Sequence, residues 1–468
     1  MTSRIILNAF DMTCVTHQAP GLWRHPENRA DEYNSLDYWI ELAKLLERGG
    51  FDALFLADVV GVYDVYQDSV AASLRDAAQV PVGDPLLQIS AMAAATSRIG
   101  FGVTVASTYA QPYTLARTFS TLDHFTRGRI GWNVVTSYLD SAARNLGLEH
   151  QIAHDDRYEV AEEFLDVVYK LWEGSWEDAA VRRDREEGVF TDPALVHPIG
   201  HSGTHYRVPG VHLAEPSPQR TPVIFQAGAS ARGRQFAAKH GEAVFINGIV
   251  PELTRKTTDD IRDRAEALGR PRDSVKILTL TTVIVAETDE AAQRKLDEYR
   301  QYVSVDGALA LYGGWSGLDL SQFDPDRPLK YVDTDAARSA LAIFTIADPT
   351  REWTPRDIAE YVGIGGIGPV IVGSPETVAD ELERWIDVGG VDGFNLAYVV
   401  TPGTFEDFVD LVVPELRRRG RIEDAQDGAT LRERLSGDAT VPEWHPAHAY
   451  RGAYAGRRSA ADGHASEA

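Results

Sequence analysis

Eight short apolar runs, each followed by an amphipathic helical segment, constrain the fold of this chain more than any other feature. The predicted strands are residues 5–10, 53–57, 99–105, 129–135, 222–227, 243–246, 275–285 and 393–397. The predicted helices are residues 36–48, 85–95, 112–125, 156–172, 230–239, 252–268, 375–388 and 404–418. Eight strand and helix pairs indicate an α/β protein whose parallel strands close into a (β/α)₈ TIM barrel.

The chain has 468 residues, well above the roughly 250 of a minimal barrel. We therefore predict long insertions after strands 2, 4 and 7, at residues 59–84, 175–220 and 289–368. Helical patterns at residues 299–312, 336–346 and 354–362 indicate that the last insertion is a lid or a small subdomain and not a bare loop. We assign residues 1–435 to the barrel, with 289–368 as its insertion or lid, and 436–468 to a partly disordered C-terminal tail.

The charge balance and the cysteine content exclude several classes of partner. A net charge of −24 argues against nucleic-acid binding, because phosphates demand clustered Lys and Arg. No segment reaches the roughly 18 apolar residues that cross a bilayer. The single cysteine, Cys14, and the absence of a secretory signal predict a cytoplasmic protein. The histidines show no metal-ligand spacing, so we predict no metal site.

Polar side chains follow several of the predicted strands. Asp58 follows the second strand, Thr104 lies near the end of the third, and Asn133, Thr136 and Ser137 end the fourth. In parallel α/β sheets the carboxyl ends of the strands meet the ligand, so these residues are candidate ligand contacts. Asp58 is equally interpreted as a helix cap or an ion-pair partner. The hydroxyl of Thr104 is equally able to bond its neighbouring backbone.

Two segments suit an anion such as a phosphate. His154 and Tyr158 are four residues apart at the start of a helix, where free backbone N–H groups favour negative charge. A Gly-Ala-Ser turn with Gly228 and Ser230 runs from a strand into another helix, and an arginine follows at Arg232 or Arg234. The alternatives are a surface histidine and a plain turn with a serine cap.

A third glycine pattern is rejected as a nucleotide-binding motif. Gly363, Gly365 and Gly368 fit G-x-G-x-x-G, but an apolar run follows them instead of a helix. We interpret the segment as a flexible connection of the lid.

Taken together, the chain resembles the bacterial luciferase-like superfamily of flavin-dependent barrels, and within it the nitrilotriacetate, EDTA and dibenzothiophene-sulfone monooxygenases. The resemblance spans about residues 1–435. It rests on the segments LNAFDMTCVTHQAPGLWRHP, ERGGFDALFLADV, STLDHFTRGRIGWNVVTS, ARNLG, HDDRYEVAEEFLDVVYKLW, HPIGHSGTHYRVPG, PSPQRTPVIFQAGASARGRQFAAKHGEAVF and DGATLRERL.

The resemblance implies a two-component monooxygenase, in which a separate NAD(P)H:flavin reductase supplies FMNH₂ and O₂ is the co-substrate. The cofactor contacts it implies are Asp58, Thr104, Asn133, His154, Tyr158, Gly228 and Ser230. The substrate contacts it implies are Phe10, Phe55, Trp23, Phe245 and Asn247, with His17 as the candidate for proton transfer. It also implies a homodimer or homotetramer.

The first loop, AFDMTCVTHQAPGLW, departs from that of the sulfone-oxidising members. We therefore expect a small organic substrate that contains N or S, of the aminopolycarboxylate or organosulfur type. Two alternatives stay open: a deazaflavin-dependent dehydrogenase of the same barrel superfamily, and a non-catalytic flavin-binding protein.

Overall fold

Eight parallel strands close into a barrel, which confirms the predicted fold class. The computed structural model describes residues 4–228, 230–329, 344, 351–423 and 427–456. The barrel strands are β1 (Ile6–Met12), β2 (Ala53–Ala57), β3 (Gly100–Ala106), β4 (Ile130–Val135), β5 (Val223–Gln226), β6 (Ala243–Ile246), β7 (Lys276–Val285) and β8 (Gly393–Ala397). Each strand pairs with the next along the chain, and β8 also pairs with β1, which completes the ring.

An outer layer of helices covers the barrel. They are α1 (Leu36–Arg48), α2 (Leu86–Ala95), α3 (Pro112–Thr126), α4 (His154–Tyr169), α5 (Ala231–His240), α6 (Pro251–Ala267), α7 (Pro375–Asp387) and α8, which comprises Gly403–Asp407, Phe408–Val412 and Val413–Arg418. Along each strand, side chains point alternately to the barrel interior and to the outer helices, as the pleat of a β-strand requires. In β2, Leu54 and Leu56 pack with the outer helices, whereas Phe55 points into the barrel.

A short helix, Leu431–Ser436, closes the amino-terminal end of the barrel. Leu431 and Leu435 pack with Ile6, Ala53 and Val223 of the interior. Residues further along the chain also pack on the barrel, since the Nε2 atom of His445 lies 3.0 Å from the carbonyl oxygen of His240. Residues 457–468 of the predicted tail lie outside the described part of the chain.

Between β7 and α7 the chain forms a separate helical layer. The structure divides the helix predicted over residues 299–312 into two helices, Asp289–Arg300 and Val305–Ser316. The division occurs because the Oγ atom of Ser304 accepts a hydrogen bond from the backbone of Gly307 and so caps a new helix. The predicted helix over 354–362 is observed as Pro355–Val362, whereas the one over 336–346 lies outside the described residues apart from Phe344.

The apolar run after Gly368 was not among the predicted strands, but it forms one. Val370–Gly373 forms a strand that pairs with the last four residues of β7, beyond the barrel. The glycines before it form a turn in which Gly365 and Gly366 have positive φ. Within the described part of the chain, no helix combines the length and apolar character needed to cross a bilayer.

Candidate active site

A cavity of about 420 Å³ opens at the carboxyl ends of the barrel strands. Its aromatic lining comprises Phe10, Phe55, Tyr63, Tyr138, Phe245 and Trp315. Its polar lining comprises His17, Gln18, Asp58, Gln79, Thr104, Asn133, Asn247 and Asn395. This is the end of a TIM barrel at which catalytic sites form.

Phenylalanine rings form the floor of the cavity. The ring centroids of Phe55 and Phe245 are 4.2 Å apart, and those of Phe10 and Phe55 are 5.7 Å apart. Two interior glycines make room for these rings. A Cβ atom at Gly102 would lie 2.6 Å from the Phe55 ring, and one at Gly131 would lie 2.4 Å from the ring of Phe225 beneath. The rings therefore pack closely at the base of the cavity.

Thr104 and Asn133 form a polar wall on adjacent strands. They are paired residues of β3 and β4, and Asn133 Nδ2 donates a hydrogen bond to Thr104 Oγ1 at 2.9 Å. Asn133 Oδ1 is buried and has no hydrogen-bond partner among the described residues. A buried acceptor without a partner is costly, so this wall is suited to a ligand that donates a hydrogen bond.

Asp58 lies beside this wall, at the end of β2. Burial raises the pKa of its carboxyl group to about 7, and the charge of Asp84 adds to the shift. A hydrogen bond from the backbone of Val59 opposes the shift in part. Asp58 therefore changes charge near neutral pH inside a cavity.

A second cluster combines the two segments predicted to hold an anion. Tyr158 packs on His154 and Phe236, with ring centroids 5.3 and 5.4 Å apart. The side chain of Tyr158 also hydrogen-bonds Ser230, and burial raises the pKa of its phenol. Ser230 caps α5, because its Oγ atom accepts a hydrogen bond from the backbone of Gly233 at 2.9 Å.

The turn at Gly228 brings the chain close to α5. A Cβ atom at Gly228 would lie 2.6 Å from the Cα atom of Gly233, and one at Gly233 would lie 2.7 Å from the Tyr158 hydroxyl. The two glycines therefore allow the turn to approach the start of α5 more closely than residues with side chains would. We call His154, Tyr158, Gly228 and Ser230 the anion cradle. Arg234 pairs with Asp260 at 2.6 Å, whereas Arg232 interacts electrostatically with Tyr158. Backbone N–H groups, hydroxyls and Arg232 together fit a phosphate.

His17 is buried in the cavity wall against Phe10, with ring centroids 4.4 Å apart. Burial lowers the pKa of its imidazole to about 3, so His17 is neutral at physiological pH. Its Nδ1 atom has no hydrogen-bond partner among the described residues. A neutral imidazole of this kind can exchange hydrogen bonds with a ligand but is a weak base.

A hydrogen-bonded network joins the segment between β2 and α2 to the helix Val305–Ser316. Tyr63 donates to Gln79 Oε1 at 2.7 Å and contacts the hydroxyl of Tyr138 at 2.8 Å. Trp315 Nε1 donates to the Tyr63 hydroxyl at 3.1 Å. The sequence analysis missed these four residues, because they lie in connections without a recurring spacing and meet only when the chain is folded.

The structure brings most of the predicted residues together. Those that line the cavity are Phe10, His17, Phe55, Asp58, Thr104, Asn133, Phe245 and Asn247. His154, Tyr158, Gly228 and Ser230 form the adjoining cluster, which meets the cavity where Tyr158 hydrogen-bonds Thr136, the residue after cavity-lining Val135. Trp23 is an exception, since it is 40% exposed on a surface turn and is not part of the cavity lining.

The barrel, the cavity and the anion cradle together define a TIM-barrel protein with a ligand-binding site at the carboxyl ends of its strands. The family model for luciferase-like monooxygenases matches residues 10–392. The chain therefore belongs to the luciferase-like monooxygenase family and is a flavin-dependent monooxygenase.

Individual relatives match nearly the whole chain. The dimethyl-sulfide monooxygenase of Hyphomicrobium sulfonivorans is 58% identical over 99% of this chain and 97% of its own. Its crystal structure superposes with a TM-score of 0.93 over 98% of both chains. The long-chain alkane monooxygenase of Geobacillus thermodenitrificans is 50% identical over 96% of this chain and 99% of its own. A riboflavin lyase, solved with a modified FMN and riboflavin, is 37% identical, with a TM-score of 0.88 over 96% of this chain and 99% of that chain.

Proposed function

We propose that this protein is the oxygenating component of a two-component monooxygenase that acts on a small, neutral organosulfur compound. A separate flavin reductase supplies FMNH₂, and O₂ is the co-substrate. The observation that carries the substrate class is the cavity lining, which among the described residues contains no Lys or Arg.

The cofactor is assigned to one side of the site. His154, Tyr158, Gly228 and Ser230 would hold the phosphate of FMN, and the start of α5 and Arg232 would offset its charge. The unpartnered Oδ1 atom of Asn133 offers an acceptor for a ring N–H. Asp58 and Thr104 complete the polar wall beside the ring. When bound in the reduced form, the flavin supplies the electrons that activate O₂.

The other residues of the site orient the substrate and exclude water. The phenylalanine floor gives an apolar surface that suits a sulfide and protects a water-sensitive reaction. Tyr63 holds a proton on its hydroxyl and donates a hydrogen bond to Gln79 Oε1, and the same hydroxyl contacts that of Tyr138 near the mouth of the cavity. His17, with a pKa of about 3, offers a hydrogen bond from a neutral ring and does not act as an imidazolium acid.

Charge separates the two substrate types expected from the sequence. An aminopolycarboxylate would bring several negative charges against Asp58 without a lining cation, and a buried charge without a partner is costly. A neutral sulfide avoids this cost. The relatives named for dimethyl sulfide and long-chain alkanes act on neutral molecules, which supports the same choice.

The test is a comparison of substrates by charge. The purified protein would be supplied with FMN, NADH and a flavin reductase, and loss of dimethyl sulfide, diethyl sulfide and nitrilotriacetate would be measured. We expect flavin-dependent oxidation of the neutral sulfides and none of the aminopolycarboxylate. Oxidation of the aminopolycarboxylate alone would refute the substrate class, and binding of a deazaflavin in place of FMN would refute the proposed chemistry.

A further inference from the structure

Arg157 is a buried arginine without a counter-charge among the described residues. It lies in the first turn of α4 and is 9% exposed. Within the described part of the chain its guanidinium forms no ion pair and donates one hydrogen bond, from Nη1 to the carbonyl oxygen of Ile152 at 3.1 Å. Its Nε atom is buried and has no partner among the same residues. A buried cation in this state is costly, so it requires a physical explanation.

Two other buried arginines are satisfied by the protein itself. Arg129 donates from all three of its guanidinium nitrogens to oxygen atoms of neighbouring residues. Arg270 donates to the carbonyl oxygens of Ala238 and Gly241, each at 2.8 Å. Arg157 differs from both, because most of its N–H donors have no acceptor among the described residues. Such donors in a native protein indicate a ligand.

The helix places Arg157 beside the anion cradle. His154, Arg157 and Tyr158 are at positions i, i+3 and i+4 of α4, so their side chains share one face of its first turn. The positive charges of Arg157 and Arg232 both act to lower the pKa of the Tyr158 phenol, and Arg157 has the larger effect. Arg232 belongs to the start of α5. Two cations on two different helices therefore lie near the same hydroxyl group.

We infer that Arg157 is a phosphate-binding residue, which joins Arg232 in holding the phosphate group of FMN at the anion cradle. The inference deepens the proposed function and rests on it. A phosphate monoester carries a charge of roughly −1.5 to −2 near pH 7, which a single arginine does not offset. A guanidinium presents its N–H groups as a planar fork that fits two phosphate oxygens at once.

The chemistry recognised is a phosphate group, and this group has two sources. It belongs either to FMN or to a free inorganic phosphate ion. A site that holds the phosphate of FMN distinguishes FMN from riboflavin, which lacks the phosphate. A site for the free ion alone has no effect on the affinity for either flavin.

The experiment measures equilibrium binding without turnover. Affinities for FMN and riboflavin are measured by flavin fluorescence, and binding of inorganic phosphate is measured as a rise in melting temperature. Arg157→Met removes the charge and keeps an unbranched side chain, whereas Arg157→Lys keeps the charge without the planar fork. Arg270→Met is the matched control, since it removes another buried arginine, which lies between α6 and β7 and is 3% exposed.

We expect Arg157→Met to weaken FMN binding about 10–100-fold and to leave riboflavin affinity unchanged. Its melting temperature without ligand should stay the same or rise, because an uncompensated buried charge is removed. Arg157→Lys should retain part of the FMN affinity. Arg270→Met should lower the melting temperature, because two buried carbonyl oxygens lose their donor, and leave the ratio of FMN to riboflavin affinity unchanged.

Three results would overturn the inference. Equal losses of affinity for the two flavins in Arg157→Met would show that Arg157 does not contact the phosphate of FMN. A lower melting temperature with unchanged FMN affinity would show that its guanidinium stabilises the segment before α4 through Ile152. Unchanged flavin affinities with a loss of stabilisation by inorganic phosphate would assign Arg157 to the free ion.

Failure of the proposed function is separable from failure of the inference, because the binding measurements involve no turnover. A protein that distinguishes FMN from riboflavin through Arg157 but oxygenates no sulfide would contradict the proposed function and support the phosphate site.

Discussion

The two ends of the barrel differ in whether their buried polar side chains have hydrogen-bond partners. At the amino-terminal end, Arg432 is fully buried and donates to Glu242 Oε2 at 2.7 Å and to the carbonyl oxygen of Thr221 at 2.8 Å. Nearby, Gln219 Nε2 donates to Asp123 Oδ1 at 2.7 Å. At the carboxyl end, Asn133 and Asn395 each keep an amide oxygen without a partner among the described residues.

This difference indicates that the amino-terminal end of the barrel contributes to stability, whereas the carboxyl end serves ligand binding. A buried ion pair is tolerated only when both charges and their remaining protons are satisfied, as they are for Arg432 and Glu242. Unpartnered groups at the cavity lower stability and are retained where a ligand completes them. Substitutions at the amino-terminal end should therefore change unfolding, and those at the cavity should change binding.

The largest effect is expected at the amino-terminal end. Arg432→Leu leaves Glu242 as a buried charge without its cation, so the free energy of unfolding should fall by about 3–5 kcal/mol. Urea unfolding followed by tryptophan fluorescence measures it. Arg48→Leu is the control, because its pair with Asp410 is exposed and should contribute at most about 1 kcal/mol. Equal losses of unfolding free energy in the two variants would contradict the expected difference between the buried and the exposed ion pair.

Asp58 should show the opposite behaviour, because its charge is unfavourable in the folded protein. Its folded pKa of about 7 lies above the ordinary value of 3.8, so stability falls as pH rises from about 4 to 7 and the group ionises. Relative to the native protein, Asp58→Asn should gain up to about 4 kcal/mol of stability over this range.

Unfolding midpoints at pH 4, 6 and 8 test this expectation. Asp84→Asn removes the neighbouring negative charge, so it should lower the folded-state pKa of Asp58. The pH range over which stability falls should then end at a lower pH. A difference between Asp58→Asn and the native protein that does not vary with pH would contradict the assignment.

The anion cradle should affect binding with little effect on unfolding. Tyr158→Phe removes a hydroxyl assigned to the FMN phosphate, so FMN affinity should fall about 10–100-fold. Riboflavin, which lacks the phosphate, should bind the variant and the native protein equally. Tyr113→Phe is the matched control, since its hydroxyl donates to the Val211 carbonyl oxygen. Equal losses of affinity for FMN and for riboflavin would show that Tyr158 does not contact the phosphate.

The smallest effect is expected where the helix Val305–Ser316 meets the cavity wall. Trp315→Phe removes the donor to the Tyr63 hydroxyl while keeping an aromatic ring. We expect kcat/KM for a sulfide to fall about 2–10-fold. Trp176→Phe removes a comparable donor, to the carbonyl oxygen of His212, and should not change kcat/KM. Matching losses in both variants would indicate a general packing effect.

The sequence is sufficient to predict the barrel because its strands are short apolar runs and its helices have a clear period. The polar wall was also predictable, since Asp58, Thr104 and Asn133 stand at strand ends. The break at Ser304 was not, because residues 301–304 contain neither Gly nor Pro. Nor was the contact between Tyr63 and Trp315, which are 252 residues apart. Such contacts depend on how insertions pack, which periodicity does not describe.

Incorporation of labelled oxygen tests the central claim most directly. The protein would be mixed with FMNH₂ under anaerobic conditions, and ¹⁸O₂ and dimethyl sulfide would then be admitted for a single turnover. The account predicts one ¹⁸O atom in the oxidised product for each flavin oxidised, analysed by mass spectrometry. Oxidation of the flavin to yield only hydrogen peroxide, with the sulfide unchanged, would contradict it.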